Sequence, residues 1–449
     1  MGQRPVYALA FGLLAVLALW AITATSKQTP ERVFVVIVLT PWLIGVFLSV
    51  VGPPEPYTPS ITEVVLLVVA VAILVLGSVT QSNRSAALDR LDSGVLHVMW
   101  AVMTVLALGA ALQLIHETYG SWRFWNLGMA AYQARIAIIE GRTAPSSLFS
   151  HLAMLYVVGA ILGGVITARS SKALLCKVMY VGVSLAPAIV YDIASGGRTN
   201  TLFAVIFGGV AYVLALQRET RVRKVGWTNI VLGTVVMAGV LSYVGHVLSV
   251  RFEGVPAASR VAAETMSYEE YASGSAVSFL EVASSTPKYS GGRFVFEVPY
   301  NYYEKLVGRN AEVVSNYYSF VEPFANDPMF RDNTYTMFYE PWLDGGWMGV
   351  MVFSAVVAGL IRLALRRYHS RPNLTMLFVV AYLFGIMAMG FREWPLNSDL
   401  LWFAGIVGLA ICAIVDFAMG RRATRTRREW RPQAVRAGAK ASAKVTAEL

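Results

Sequence analysis

The chain has 449 residues, of which 56% are hydrophobic and 14% charged, with a mean hydropathy of +0.56. Soluble proteins run near 25% charged, so the two or three soluble domains that this length would otherwise allow are excluded. The net charge of +10 is local: Gly420 to Leu449 carries nine Lys/Arg and two acids (9 − 2 = +7), which is a topology signal and a contact for anionic headgroups, with little weight for nucleic acid.

Apolar runs near 20 residues recur along the chain, and about 20 helical residues cross a roughly 30 Å hydrocarbon core. Spans are expected near 6–24, 33–51, 61–80, 93–115, 148–167, 174–194, 200–216, 228–247, 342–365, 374–390 and 400–419. The opening stretch, with Arg4, an apolar run and Ala21–Ser26, resembles a signal peptide; in a polytopic chain it reads as an uncleaved first span. The expectation is therefore an all-α, polytopic membrane protein with about eleven transmembrane helices. Residues 1–449 form a single membrane domain, with a large extracytoplasmic loop at 248–337 and a basic cytoplasmic tail at 420–449. Cys176 and Cys412 lie in separate apolar segments, where neither a disulfide framework nor a zinc site is expected.

Arg169–Lys177, Arg218–Lys224, Arg362–Arg371 and the tail all fall on one side of this span list, which the positive-inside rule makes cytoplasmic. Glu117–Ser147, Ser195–Thr199, Leu248–Met337 and Phe391–Asp399 then face outward, and the amino terminus lies outside. Leu248–Met337 carries seven basic and eleven acidic residues (7 − 11 = −4) and 16 Phe/Tyr, an aromatic content that argues for a folded segment over the membrane mouth. Within it Arg293–Pro299 alternates like a short strand and Tyr300–Val314 reads as helical.

Walker A, dinucleotide, HExxH and GxSxG patterns are absent. Polar residues collect instead at the outward ends of spans. Ser195-Gly196-Gly197-Arg198-Thr199-Asn200 is a tight turn whose glycines permit a sharp reversal, with Thr199 or Asn200 able to cap the next helix. An arginine at a helix N-terminus is a ready anion site, although Arg198 alone is equally well read as snorkelling to headgroups. In Phe391-Arg392-Glu393-Trp394-Pro395, Arg392 and Glu393 can pair with each other, or divide into a phosphate ligand and a base. Arg331-Asp332-Asn333-Thr334-Tyr335-Thr336 precedes Glu340 and the stretch Asp344-Gly345-Gly346; Asp344 is open to reading as a buried cap or as a base, with Gly345, Gly346 and Gly349 allowing close helix packing. Asp192 stands near Arg198 as a possible partner, while His97, His246 and Asp416 sit near span ends where satisfied side chains are the commoner case.

These three places resemble the bacterial O-antigen and oligosaccharide repeat-unit polymerases of the Wzy type. The carriers are Ser195-Gly196-Gly197-Arg198 opening a span, with Arg198 and Gly209 in an Arg-x₁₀-Gly spacing, then Asn333-Thr334-Tyr335-Thr336 with Asp344-Gly345-Gly346-Trp347-Met348-Gly349, then Phe391-Arg392-Glu393. The likeness covers the last 250 residues; Thr199-Asn200 after the arginine, and the lack of a second Arg-x₁₀-Gly in the long loop, depart from the family pattern.

The resemblance implies a GT-C-like membrane glycosyltransferase, with no cofactor and no metal, that uses undecaprenyl-pyrophosphate-linked oligosaccharide. It moves a growing glycan from undecaprenyl pyrophosphate onto the non-reducing end of a new lipid-linked unit. The expected partners are that lipid-linked donor, membrane lipid, a chain-length regulator and a flippase. Pyrophosphate then falls to Arg198 and Arg392 with Arg331 or Arg293 assisting, and the base is Asp344 or Glu393; Asn333, Thr336 and Asp192 support them.

Three rivals carry the opposite expectations. An O-antigen ligase type would place a histidine in the large outer loop, and Leu248–Met337 has none. A polyprenyl-monophosphate glycosyltransferase would carry acidic pairs in its first outer loop, where Gly52–Ser60 offers only Glu55. A transporter or flippase would show repeat symmetry and ionisable groups deep within spans.

Overall fold

The computed structural model describes residues 4–25, 29–52, 57–79, 93–120, 147–170, 173–195, 199–216, 231–236, 238, 239, 242, 273–308, 335–392 and 394–418. Regular structure among them is helical throughout. In chain order the helices are α1 (Arg4–Ala24), α2 (Pro30–Val51), α3 (Ile61–Ser78), α4 (Ser93–Tyr119), α5 (Ser147–Ala153), α6 (Tyr156–Arg169), α7 (Leu174–Ser195), α8 (Thr199–Leu216), α9 (273–283), α10 (Glu297–Leu306), α11 (Tyr339–Ser370), α12 (Leu374–Met389) and α13 (Asp399–Ala418). Taking α5 and α6 as one run, nine among the described residues are long and apolar enough to cross a membrane; α12 is apolar but has only 16 residues.

The packing is arranged for hydrocarbon. Val16, Val105 and Leu175 stand on the outside of the bundle at 68–70% exposure, while Glu31, Asp192 and Glu340 are buried. Water would penalise that outward apolar surface, and lipid does not. The chain is a multi-pass membrane protein.

Ten of the eleven expected spans coincide with these helices. In the eighth, 228–247, the described residues 231–236 are helical. Two helices outrun the expectation: α4 continues to Tyr119, and α11 runs from Tyr339 to Ser370. The expected strand at Arg293–Pro299 is not one. Residues 293–296 form turns and Glu297 opens α10, because the amides of Phe294 and Val295 are taken by a side chain of α11 and by no partner strand. Of the helix expected at Tyr300–Val314, the part to Leu306 is seen, starting earlier at Glu297.

Side-chain contacts sort the helix ends into two layers. At one, Tyr7 bonds the carbonyl of Tyr57, Tyr119 that of Ile193, and Trp394 that of Val295. At the other, His369 meets Glu31 at 2.8 Å, Tyr368 reaches Leu214, and Asp416 takes the first amides of α12. These are called the Trp394 end and the His369 end. α8 finishes at the His369 end, whereas α9 packs at the Trp394 end through Phe279 on Phe338 and Trp347.

At the centre lies α6, buried on every face from Tyr156 to Ala168. Its glycines make this possible. A Cβ on Gly164 would stand 2.2 Å from the Gly208 carbonyl oxygen, so α6 and α8 cross with their backbones in contact.

Candidate functional site

The Trp394 end gathers most of the polar residues singled out by sequence. It begins with a break in α11. Gly346 has φ +59°, and with Gly345 it separates a first turn, Tyr339–Asp344, from the long helix below. A side chain is disfavoured at that φ, and Gly349 packs so close that a Cβ would sit 2.1 Å from the Pro341 carbonyl oxygen. The glycines expected to pack helices together therefore shape α11 itself.

The break turns Asp344 toward the segment 289–295. Its carboxylate accepts from the Phe294 amide at 3.1 Å, the Val295 amide at 2.9 Å and the Ser290 hydroxyl. The Tyr289 amide donates to the Leu343 carbonyl and the Gly291 amide to that of Asp344. Both carboxylate oxygens are thus occupied by donors, the geometry of a clasp that fastens the segment 289–295 to a membrane helix.

Arg293 lies between the clasp residues, its guanidinium 5.1 Å from the centre of the Tyr300 ring. Arg392 is half-buried, two residues from Trp394, and Trp394 in turn donates to Val295 and packs edge-on against Phe353. Arg293 and Arg392 thus each stand two residues along the chain from one partner of the Trp394–Val295 bond. Thr336 is fully buried and its hydroxyl accepts from the Phe338 amide, while the neighbouring Met337 amide donates to the Gly390 carbonyl at 2.7 Å. The structure therefore brings Asp344, Arg293, Arg392 and Thr336 to one layer. Arg198, Arg331, Asn333 and Glu393 lie outside the described residues.

Asp192 occupies the same end on α7. It is fully buried and accepts from the backbone and side-chain nitrogens of Asn200 and from the Thr201 amide. The sequence pointed to Thr199 or Asn200 as the cap of α8; the acceptor comes instead from the preceding helix, and Asn200 is held as well by the Tyr156 hydroxyl at 3.0 Å. A carboxylate so placed satisfies orphan amides at the start of α8.

Several further groups were not legible as site residues. Glu281, Glu297 and Glu304 are carboxylates of the stretch 273–308, the last two buried on one face of α10. The seven-residue spacing of Glu297 and Glu304, two helical turns, was the available signal. Opposite them Tyr302 and Tyr303 are exposed, as are Tyr289 and Phe296 nearby. His151 on α5 pairs with Asp399 on α13 at 3.5 Å, a contact between residues nearly 250 apart that spacing does not reveal. Through Trp394 and Asp399, the segment 394–399 links the clasp to the α5–α7 side of the layer. Among the described residues no group of three His, Cys, Asp or Glu is placed to hold a metal. No known family model matches the chain, and neither a curated protein nor a solved structure is similar to it.

Proposed function

We propose that the protein is a GT-C-like membrane glycosyltransferase that polymerises undecaprenyl-pyrophosphate-linked oligosaccharide repeat units at the Trp394 end. The observation that supports this reading most is the bond from Trp394 to the Val295 carbonyl, which ties together the two stretches that carry Arg392 and Arg293, beside a segment with exposed aromatic rings. In sequence Arg198 falls between Ser195 and Thr199, the end of α7 and the start of α8 at that same end.

In the reaction, a hydroxyl oxygen of the incoming unit attacks the anomeric carbon of the growing glycan. The bond from that carbon to the lipid pyrophosphate breaks, and the hydroxyl proton passes to a carboxylate. Pyrophosphate leaves with added charge, which arginines stabilise bidentately. Because the Asp344 oxygens are engaged by three donors, the base in this reading is Glu393, and Asp344 holds the segment that carries Arg293. Exposed Tyr302 and Tyr303 offer faces on which sugar rings stack. The Trp394 end faces outward in this reading, since Arg169, Arg366, Arg367 and Arg371 cluster at the opposite one.

The rival from the same donor chemistry is a ligase-type transferase, and a flippase is the rival from another class. A deletion strain separates all three. Loss of polymer with single repeat units retained supports polymerisation; full-length polymer stranded on its carrier indicates a ligase, and units trapped on the cytoplasmic side indicate a flippase. Within the polymerase, Arg198→Ala combined with Arg392→Ala is expected to lower chain extension at least about a hundredfold, the scale seen when a preorganised charge-stabilising donor is removed. Extension at the unmodified rate in that double variant removes the arginines from the mechanism.

A further inference from the structure

A cavity of about 240 Å³ lies among α6, α7, α8 and residues 232–236, well below the Trp394 end. Its lining is apolar almost throughout, and its two hydroxyls on α6 and α7 are turned away to other partners. Thr167 donates to the Gly163 carbonyl at 2.7 Å; Ser184 donates to the Tyr180 carbonyl at 2.7 Å and accepts from the Trp100 indole at 2.8 Å. Water needs two to four polar partners to stay in such a space, so this one favours hydrocarbon. It is also only partly enclosed: Val183 and Val235, beside lining residues, are 44% and 46% exposed on the lipid-facing side.

Two glycines keep it open. Among the described residues a Cβ on Gly209 or Gly233 meets nothing within 4 Å, in contrast to Gly163, Gly164 and Gly208, whose neighbours close in to 3.1 Å or less. At roughly 30 Å³ for a water-sized group, the space takes about eight methylene or methyl groups. That is a short length of chain, below the ~300 Å³ at which pockets begin to take whole drug-sized ligands.

Position selects which chain. On α8 the lining runs from Ala204 to Tyr212, five to thirteen residues past Thr199, so at 1.5 Å per residue it lies about 8 to 20 Å beneath the first residue of α8. A lipid whose pyrophosphate is held at the Trp394 end beside the start of α8 sends its hydrocarbon down α7 and α8. We propose that this cavity is the groove for the methyl-branched polyisoprenoid chain of the lipid carrier, with Gly209 and Gly233 leaving the width its branches need. The groove rests on the polymerase reading for the identity of its lipid, and its test is separate.

The full-length protein in phosphatidylglycerol nanodiscs is photolabelled with undecaprenyl phosphate bearing a diazirine on an isoprene unit near the headgroup. A diazirine-bearing phosphatidylglycerol serves as the comparison. The isoprenoid probe is expected to label peptides containing 160–167, 204–212 and 231–236. Labelling should fall about tenfold in Gly209→Leu and in Gly233→Leu. It should stay unchanged in Gly359→Leu, whose glycine is exposed on α11 with nothing within 4 Å. Mapping on the unmodified protein does not depend on any variant folding. Isoprenoid label spread evenly over lipid-facing helices, equal labelling of the groove by the phospholipid probe, or full labelling in folded Gly209→Leu overturns the groove. Groove labelling in a protein whose deletion leaves polymer intact overturns the polymerase reading and leaves the groove standing.

Discussion

Asp344 shows how one side chain divides between competing roles. As a base it must leave an oxygen open to a sugar hydroxyl; as a clasp it holds two amides and a hydroxyl of the segment 289–295. Asp344→Asn separates the two. The amide keeps one acceptor but turns a donor toward an amide that needs an acceptor, costing about 1–3 kcal/mol at the clasp. Hydrogen exchange at Phe294 and Val295 is therefore expected to accelerate in the variant, with chain extension falling in parallel. Unchanged exchange with lost extension would return Asp344 to the chemistry. The sequence exposed Asp344 as a carboxylate before a glycine pair, but its donors precede it by about 50 residues, beyond the reach of any local spacing. Arg392 and Arg293 were visible as charges; that their near neighbours Trp394 and Val295 bond to each other was not.

At the level of elements, the spans were legible because hydrocarbon demands long apolar runs and leaves little else that fits. What escaped was whatever is neither long nor apolar. α9 reads Ser-Gly-Ser-Ala-Val-Ser at its start, a polar run without helical periodicity, yet residues 273–280 are all buried against the bundle. The strand expected at Arg293–Pro299 failed because alternation there follows the clasp and not a sheet. At the His369 end, Glu31 on α2 and His369 on α11 are both buried and meet at 2.8 Å, joining residues 338 apart in sequence. Glu31→Ala is expected to lower stability by about 1.5–3 kcal/mol, read as the thermal midpoint of the purified protein in detergent. An unshifted midpoint would mean that the pair contributes nothing net.

For the whole molecule, the order of contacts fixes which helix ends share a layer, and this places residues 4 and 418 at opposite ends. Short-loop charge had given the same parity, including an outside amino terminus that Arg4 by itself does not favour. Arg4 is accounted for by its bond to the Gly52 carbonyl at 3.0 Å within the Trp394 layer. The absolute direction follows from charge alone. Reporter fusions after Gly120 are expected to be active only with an enzyme that works outside the membrane, and fusions after Leu216 only with one that works inside. The reverse pattern inverts the whole assignment and moves the proposed chemistry to the cytoplasmic face.

The bond between Asp416 and α12 has a consequence for how the chain is assembled as it is made. α12, at 16 residues and about 24 Å, is shorter than a roughly 30 Å bilayer core. Its first amides, Leu374 and Thr375, find their acceptor on α13, which leaves the ribosome some forty residues later. α8 is in the opposite position, since the carboxylate that receives it, Asp192, has already been synthesised on α7. One helix thus arrives at a waiting acceptor, and the other stays half-settled until its successor is inserted. The last two spans are for that reason expected to insert as a unit, and a chain halted before residue 399 leaves the first amides of α12 without the Asp416 carboxylate.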